Sequence, residues 1–270
     1  MLKTNISVML TTKCTLNCRF CSLGIPYYNK PVFFPKDFLL ENIKRLLVIY
    51  DESGINIAHI DLLGGEPLLH PDLEGVLKGL CTFDCALREV RILTNSTIAP
   101  TIALLESIKN VQEKMRFLFI LADYGELSVY LMEWVHRLEE FDIAYRIDSY
   151  TGDKQYFGGW VSYGADGSVG EKRTQERYDE CAFCHSGVTE VCGSFAYPCT
   201  KALALMATGR KQLLSEEYID LNDEMTVNIQ KMKAFISRRD AYAICEECTG
   251  LSDAAVRYPA AEQMRGGNRL

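Results

Sequence analysis

Across the first 150 residues, short β-rich runs alternate with stretches of helical periodicity, and this order restricts the chain to βαβ units around a parallel sheet. Asn5–Leu10 is predicted as a strand, and Pro35–Ser53 as a helix whose apolar face carries Phe38, Leu39, Ile43, Leu46, Leu47 and Tyr50. Gly54 then stops that helix. Further strands are expected at 57–63, 90–93, 117–121 and 143–147, and helices at 71–80, 100–108 and 127–138. A sixth strand is expected near Trp160. Five or six such units do not close an eight-stranded barrel, so the expected fold is α/β: a partial (βα)6 TIM-like barrel, open on one side, with function at the carboxyl ends of its strands. Residues 1–165 are expected to form this barrel and 166–270 a small cluster-binding domain. The segment 152–170, rich in Gly, Ser and Tyr, reads as a linker or lid, and helices are expected at 216–223 and 225–238.

Eleven cysteines in 270 residues sharpen the picture. An odd count without a secretory leader fits metal ligation better than a disulfide framework. Cys14, Cys18 and Cys21 form a C-x3-C-x2-C loop directly after the first strand. Three thiolates leave one iron of a cubane open to an outside ligand. Zinc is the competing reading of such a motif. Two glycines at the end of the second strand, Gly64 and Gly65, allow close backbone approach, and Glu66 offers an acceptor for an ammonium. Cys81 and Cys85 are expected to be core residues.

A net charge of −7 excludes a chain built to coat phosphate backbones, so nucleic acid is not expected as a partner. No apolar run approaches the ~20 residues of a membrane span. The absence of a leader points to the cytoplasm.

With its cysteine motif followed by Gly64-Gly65-Glu66-Pro67 after the second strand, the sequence resembles the radical S-adenosylmethionine (SAM) superfamily over most of its first 150 residues. The resemblance implies a [4Fe-4S] cluster on Cys14, Cys18 and Cys21. It implies SAM bound through its amino group by Gly64, Gly65, Glu66 and Pro67, with Phe20 shielding the cluster beside the purine. Asn95, in Thr94-Asn95-Ser96 where the family usually has glycine third, and Asp123, which follows the fourth strand, are further cofactor candidates; a turn or capping role is the alternative for each.

The cysteines after residue 180 resemble the auxiliary-cluster domains of the superfamily, called twitch or SPASM. Cys181, Cys199, Cys245 and Cys248 fit a second [4Fe-4S] cluster saturated by protein thiolates and suited to electron transfer. Cys184 and Cys192 are left over, and either can replace Cys181. The pairs Cys181-x2-Cys184 and Cys245-x2-Cys248 are equally a four-thiolate zinc pattern. The implied reaction is radical hydrogen abstraction followed by a two-electron oxidation of a sugar or cyclitol alcohol, with a flavodoxin or ferredoxin-type donor. Modification of a ribosomally made peptide is the alternative. Arg146, ending the fifth strand, is expected to orient a substrate hydroxyl or assist its deprotonation; a surface salt bridge is the alternative. Trp160 and Tyr163 are expected to pack on the substrate or the core.

Overall fold

The computed structural model describes residues 4–83, 87–156, 160, 171–248, 250–252 and 255–264. Strands β1 (Thr4–Met9), β2 (Ile57–Leu63), β3 (Glu89–Thr94), β4 (Arg116–Asp123) and β5 (Ala144–Ser149) alternate with helices α1 (Lys36–Glu52), α2 (Leu73–Leu80), α3 (Ile102–Lys109) and α4 (Leu131–Glu140). The chain continues through α5 (Glu171–Glu180), α6 (Ala182–His185), β6 (Val188–Cys192), β7 (Phe195–Tyr197), α7 (Thr200–Ala207), β8 (Ile219–Asp220) and α8 (Met225–Ser237). One sheet holds all eight strands in the order β5-β4-β3-β2-β1-β6-β7-β8. The first six are mutually parallel where they pair, and β7 and β8 extend the sheet antiparallel. The sheet stays open, as a partial barrel requires.

The strands alternate between two environments because successive side chains point to opposite faces. Ile6, Val8, Ile60, Leu62, Val90, Ile92, Phe119 and Leu121 are buried against Ile43, Leu46, Val76, Leu77, Leu105, Ile108, Trp134 and Leu138 of the helices. Burying each such side chain contributes about 1.5–3 kcal/mol. Trp134 packs on Phe119 at 4.9 Å, and its indole N–H donates to Ile98 O at 2.7 Å, so the largest core side chain is also polar-satisfied. The opposite face carries Ser7, Asp61, Arg91 and Glu190 around an open cavity. Parallel sheets usually read apolar on both faces, so this polar inner face marks where the molecule departs from plain packing.

Two expectations are corrected. The sixth parallel strand is β6, on the free edge of β1, not a segment near Trp160. Trp160 pairs with Cys21 in an isolated bridge, and residues 157–159 and 161–170, with Tyr163, lie outside the described residues. The edge of β1 is taken by Val188–Cys192, tied also by the Tyr50 hydroxyl of α1 to that of Thr189. Residues 216–223 are a turn followed by β8, not a helix. The buried Glu217 carboxylate accepts the N–H groups of Leu214 and Ile244, at 3.0 and 3.3 Å, which fixes the turn against the later chain. Strands β6–β8, which come from the second of the two expected units, join the same sheet as β1–β5.

Candidate functional site

At the carboxyl ends of the strands, the loop after β1 folds back onto the loop after β2. Gly65 N–H donates to Thr11 O and Glu66 N–H to Lys13 O, both at 2.8 Å. A Cβ on Gly65 would stand 2.0 Å from Lys13 O, and one on Gly64, at φ 147°, would stand 2.4 Å from Thr11 O. Both glycines are therefore required for one backbone to touch the other. The contact fixes the segment from which Cys14, Cys18 and Cys21 project, and all three thiols line one cavity of about 460 Å3.

Burial raises all three thiols above the ordinary cysteine range, Cys14 to about 11, with Glu66 and Cys21 adding like-charge repulsion at Cys14. Three crowded thiols of this kind ionise when a strong cationic centre joins them. Sulfur acceptors are also provided for: Asn95 Nδ2 lies 3.5 Å from Cys14 Sγ, and Gln263 Nε2 lies 3.4 Å from Cys18 Sγ. Soft donors, three in number, with amide donors on their sulfurs, suit an iron-sulfur cluster with one open iron.

Residues 8–122 match the Radical SAM superfamily profile. The chain carries a radical SAM domain. Among curated proteins it is similar to the GTP 3',8-cyclase of Aquifex aeolicus (strain VF5), 33% identical over 92 residues that make up 33% of this chain and 27% of that protein. The match thus spans about a quarter of that relative's length. Among solved structures it resembles BtrN in complex with AdoMet and 2-DOIA, with a TM-score of 0.59 at 14% identity, covering 93% of this chain and 94% of that one. Polyhistidine-tagged anSMEcpe with bound AdoMet gives 0.51 at 13% identity, covering 96% and 90%. At these identities the likeness is one of fold. The superfamily implies SAM and a [4Fe-4S] cluster, and the donor set above fits both.

The other residues expected to hold the cofactor of a radical SAM protein divide into two groups. Gly64, Gly65 and Asn95 line the cavity. Asn95 is held by Thr97, whose N–H and hydroxyl both donate to its Oδ1. Ser96, standing where the family has glycine, adopts φ 58°, the left-handed conformation that explains the usual glycine. Glu66 is instead fully buried, its two oxygens accepting the N–H groups of Leu68 at 3.2 Å and Asn95 at 2.9 Å. Its carboxylate joins the loops after β2 and β3, and its burial raises its pKa to about 7. The carboxylate expected to meet an ammonium thus also accepts two backbone amides. Pro67 begins a short 3-10 turn and is buried. Asp123 accepts from Gly125 N–H and Ser149 Oγ, both at 2.9 Å, which is a turn role. Phe20 stacks on Tyr258 at 4.4 Å beneath the Arg19 guanidinium.

Two cavity residues, Tyr124 and Tyr150, carried no sequence signal, whereas Trp160 and Arg146 were expected near the substrate. Tyr124 stacks on Tyr150 at 5.3 Å and meets Trp160 edge-on at 5.7 Å, giving the cavity an aromatic wall. Arg146 lines the cavity in a bidentate pair with Asp148, at 2.7 and 2.8 Å.

A second pocket is lined by five thiols, those of Cys181, Cys184, Cys199, Cys245 and Cys248. The Cys184 thiol stands beside those of Cys181, Cys199 and Cys245, and their interaction raises its own pKa and lowers that of Cys181 to about 6. Cys199 caps α7, its sulfur accepting from Ala202 N–H at 3.4 Å. Cys184 thus stands with the four expected ligands, whereas Cys192 is turned to Met9, 3.7 Å from its sulfur, and to Tyr28. Cys81 is half-buried against the main core, and Cys85 lies outside the described residues. No helix among the described residues is long and apolar enough to cross a membrane.

Proposed function

We propose that this chain is a radical SAM oxidoreductase that removes two electrons from an alcohol carbon of a sugar or cyclitol. The observation that carries this reading is that the three loop thiols and a polar chamber deep in the barrel belong to one continuous cavity. SAM bound at the Cys14–Cys18–Cys21 cluster supplies a 5'-deoxyadenosyl radical able to take a hydrogen atom from an unactivated carbon. Asn95 and Gln263 hold the thiol loop and hydrogen-bond its sulfurs, while Tyr124, Tyr150 and Trp160 narrow the chamber and limit water. Arg146, fixed by Asp148, presents its guanidinium to a substrate hydroxyl, and Asp148 is the carboxylate placed to receive the hydroxyl proton.

The second electron needs an acceptor, and the five-thiol pocket is proposed to hold a second [4Fe-4S] cluster in residues 166–270. Ser22, Phe183 and Thr200 line both the chamber and that pocket, so a single layer of side chains separates them. A saturated cluster is suited to this role. A flavodoxin or ferredoxin-type protein is the proposed source of the separate electron that reduces the first cluster for SAM cleavage, and the cytoplasm the proposed location.

Anaerobic reconstitution with iron and sulfide counting tests the assignment: about eight irons per chain are expected, and about four after Cys14→Ala. SAM cleavage to 5'-deoxyadenosine, followed by mass spectrometry over a panel of sugars, cyclitols and peptides, then tests the reaction. A protein that binds zinc in place of iron overturns the reading, and a peptide product with no sugar or cyclitol product overturns the substrate class.

A further inference from the structure

The chamber's floor carries charges that the oxidation itself does not use. In the strand register Ser7 stands between Glu190 of β6 and Asp61 of β2, and Asp61 stands beside Arg91 of β3. All four residues line the chamber. They form the inward-facing layer beneath Cys192, Met9 and Leu63, which places them about 7 Å deeper in the barrel than the strand ends.

The cations around this floor are already committed. Arg91 Nε lies 2.6 Å from Glu89 Oε1, and Glu89 also holds Arg116 at 2.8 Å. Arg146 is paired with Asp148. Beside these arginines the buried His59 Nε2 lies 3.4 Å from Asp61 Oδ1 and, among the described residues, makes no hydrogen bond. Glu190 has no such partner: it is 4% exposed, and among the described residues its Oε2 accepts no hydrogen bond. Burial and the neighbouring Asp61 raise its pKa to about 8. A buried carboxylate oxygen without a donor lowers stability, so its retention in a chamber wall calls for something that arrives later.

We infer that Glu190, with Asp61 beside it, is the recognition site for a protonated primary amine on the substrate. This rests on the reading of the cavity as the substrate chamber. An ammonium brings three donors and a positive charge, which together serve two neighbouring carboxylates. A hydroxyl brings one donor and leaves the surplus negative charge uncompensated. The amine can belong to an amino sugar or aminocyclitol, or to a lysine side chain of a peptide.

Isothermal titration of the reconstituted, SAM-loaded full chain decides the matter with matched probes: ethanolamine against ethylene glycol, glucosamine against glucose, and Nα-acetyl-lysine amide against its norleucine counterpart. The ammonium member of the ethanolamine pair is expected to bind more tightly by roughly thirtyfold, the cost of removing one side of a buried charge pair. The other two pairs show whether the amine is carried on a sugar or a peptide. Glu190→Gln is expected to abolish the preference and Asp61→Asn to weaken it. Glu190→Gln is also expected to unfold at the same temperature as the parent or higher, because it removes the cost of burying an ionisable carboxylate. The inference is overturned if no ammonium probe binds, if glycol binds as well as ethanolamine, or if Glu190→Gln keeps the preference. Formation of 5'-deoxyadenosine by the same preparation reports separately on the radical chemistry. Cleavage without amine preference removes only the amine site, and amine preference without cleavage removes only the proposed reaction.

Discussion

Gln263 Nε2 lies 3.4 Å from Cys18 Sγ, across 245 positions of chain. The same side chain accepts Asn17 N–H through Oε1 at 2.8 Å, and Met264 N–H donates to Asn17 O at 2.9 Å. The segment around Gln263 therefore straps the thiol loop. With a cluster on Cys18 the same amide would also tune its potential, because a donor to a cluster sulfur favours the more negative, reduced state.

Gln263→Leu is expected to lower the reduction potential of the first cluster. A lost hydrogen bond of about 1 kcal/mol corresponds to about 40 mV for one electron. Redox titration followed by electron paramagnetic resonance measures the shift, and an unchanged potential would show that the Gln263 amide has no influence on the cluster.

Gly65→Ala is expected to prevent the two loops from docking, since its Cβ would stand 2.0 Å from a carbonyl oxygen that belongs to backbone. Overpacking of this kind costs about 3 kcal/mol. The readout is cluster content after reconstitution, with iron at the first site falling while the five-thiol pocket keeps its own.

Ser96→Gly is expected to stabilise the fold by about 1 kcal/mol, because it relieves left-handed strain. The replacement also removes a buried hydroxyl with no partner among the described residues. Ser96→Val, β-branched in the same conformation, is expected to do the opposite. Denaturant unfolding of the two variants decides; a loss of stability in the glycine variant would refute the account.

Stability should fall as pH rises because of Glu190. Its folded pKa, raised to about 8, lies above the ordinary carboxylate value of 4.5, so the folded state holds a proton that the unfolded state releases. The contribution is complete at low pH and is lost between about 4.5 and 8, with a slope of at most about 1.4 kcal/mol per pH unit. Glu66, raised to about 7, acts in the same direction, so the informative quantity is the difference between the parent and Glu190→Gln. Melting temperatures measured from pH 5 to 8 are expected to fall less steeply in the variant.

The β1–β5 alternation was readable because apolar period two and apolar period 3.6 differ within a few residues, and β2 falls at Ile57–Leu63 as the periodicity requires. The thiol loop was readable for a related reason: ligands close in sequence share a loop whatever the rest of the chain does. The segment 216–223 misled, because its helical spacing is overridden by Glu217 binding the amides of Leu214 and Ile244, both outside that segment. Val188–Cys192 has strand composition, but composition carries no information about which edge it joins, and it joined β1.

Local chemistry written in the chain determined the units, the three-thiol loop and the need for glycine at 64 and 65. Tertiary structure alone decided what those groups face. It turned the Glu66 carboxylate onto the amides of Leu68 and Asn95, added Cys184 to four other thiols, and left Glu190 Oε2, among the described residues, without a donor beside Asp61. The physical reason is that hydrogen-bond and charge partners are set by through-space distance, and sheet order brings together residues that no spacing along the chain connects.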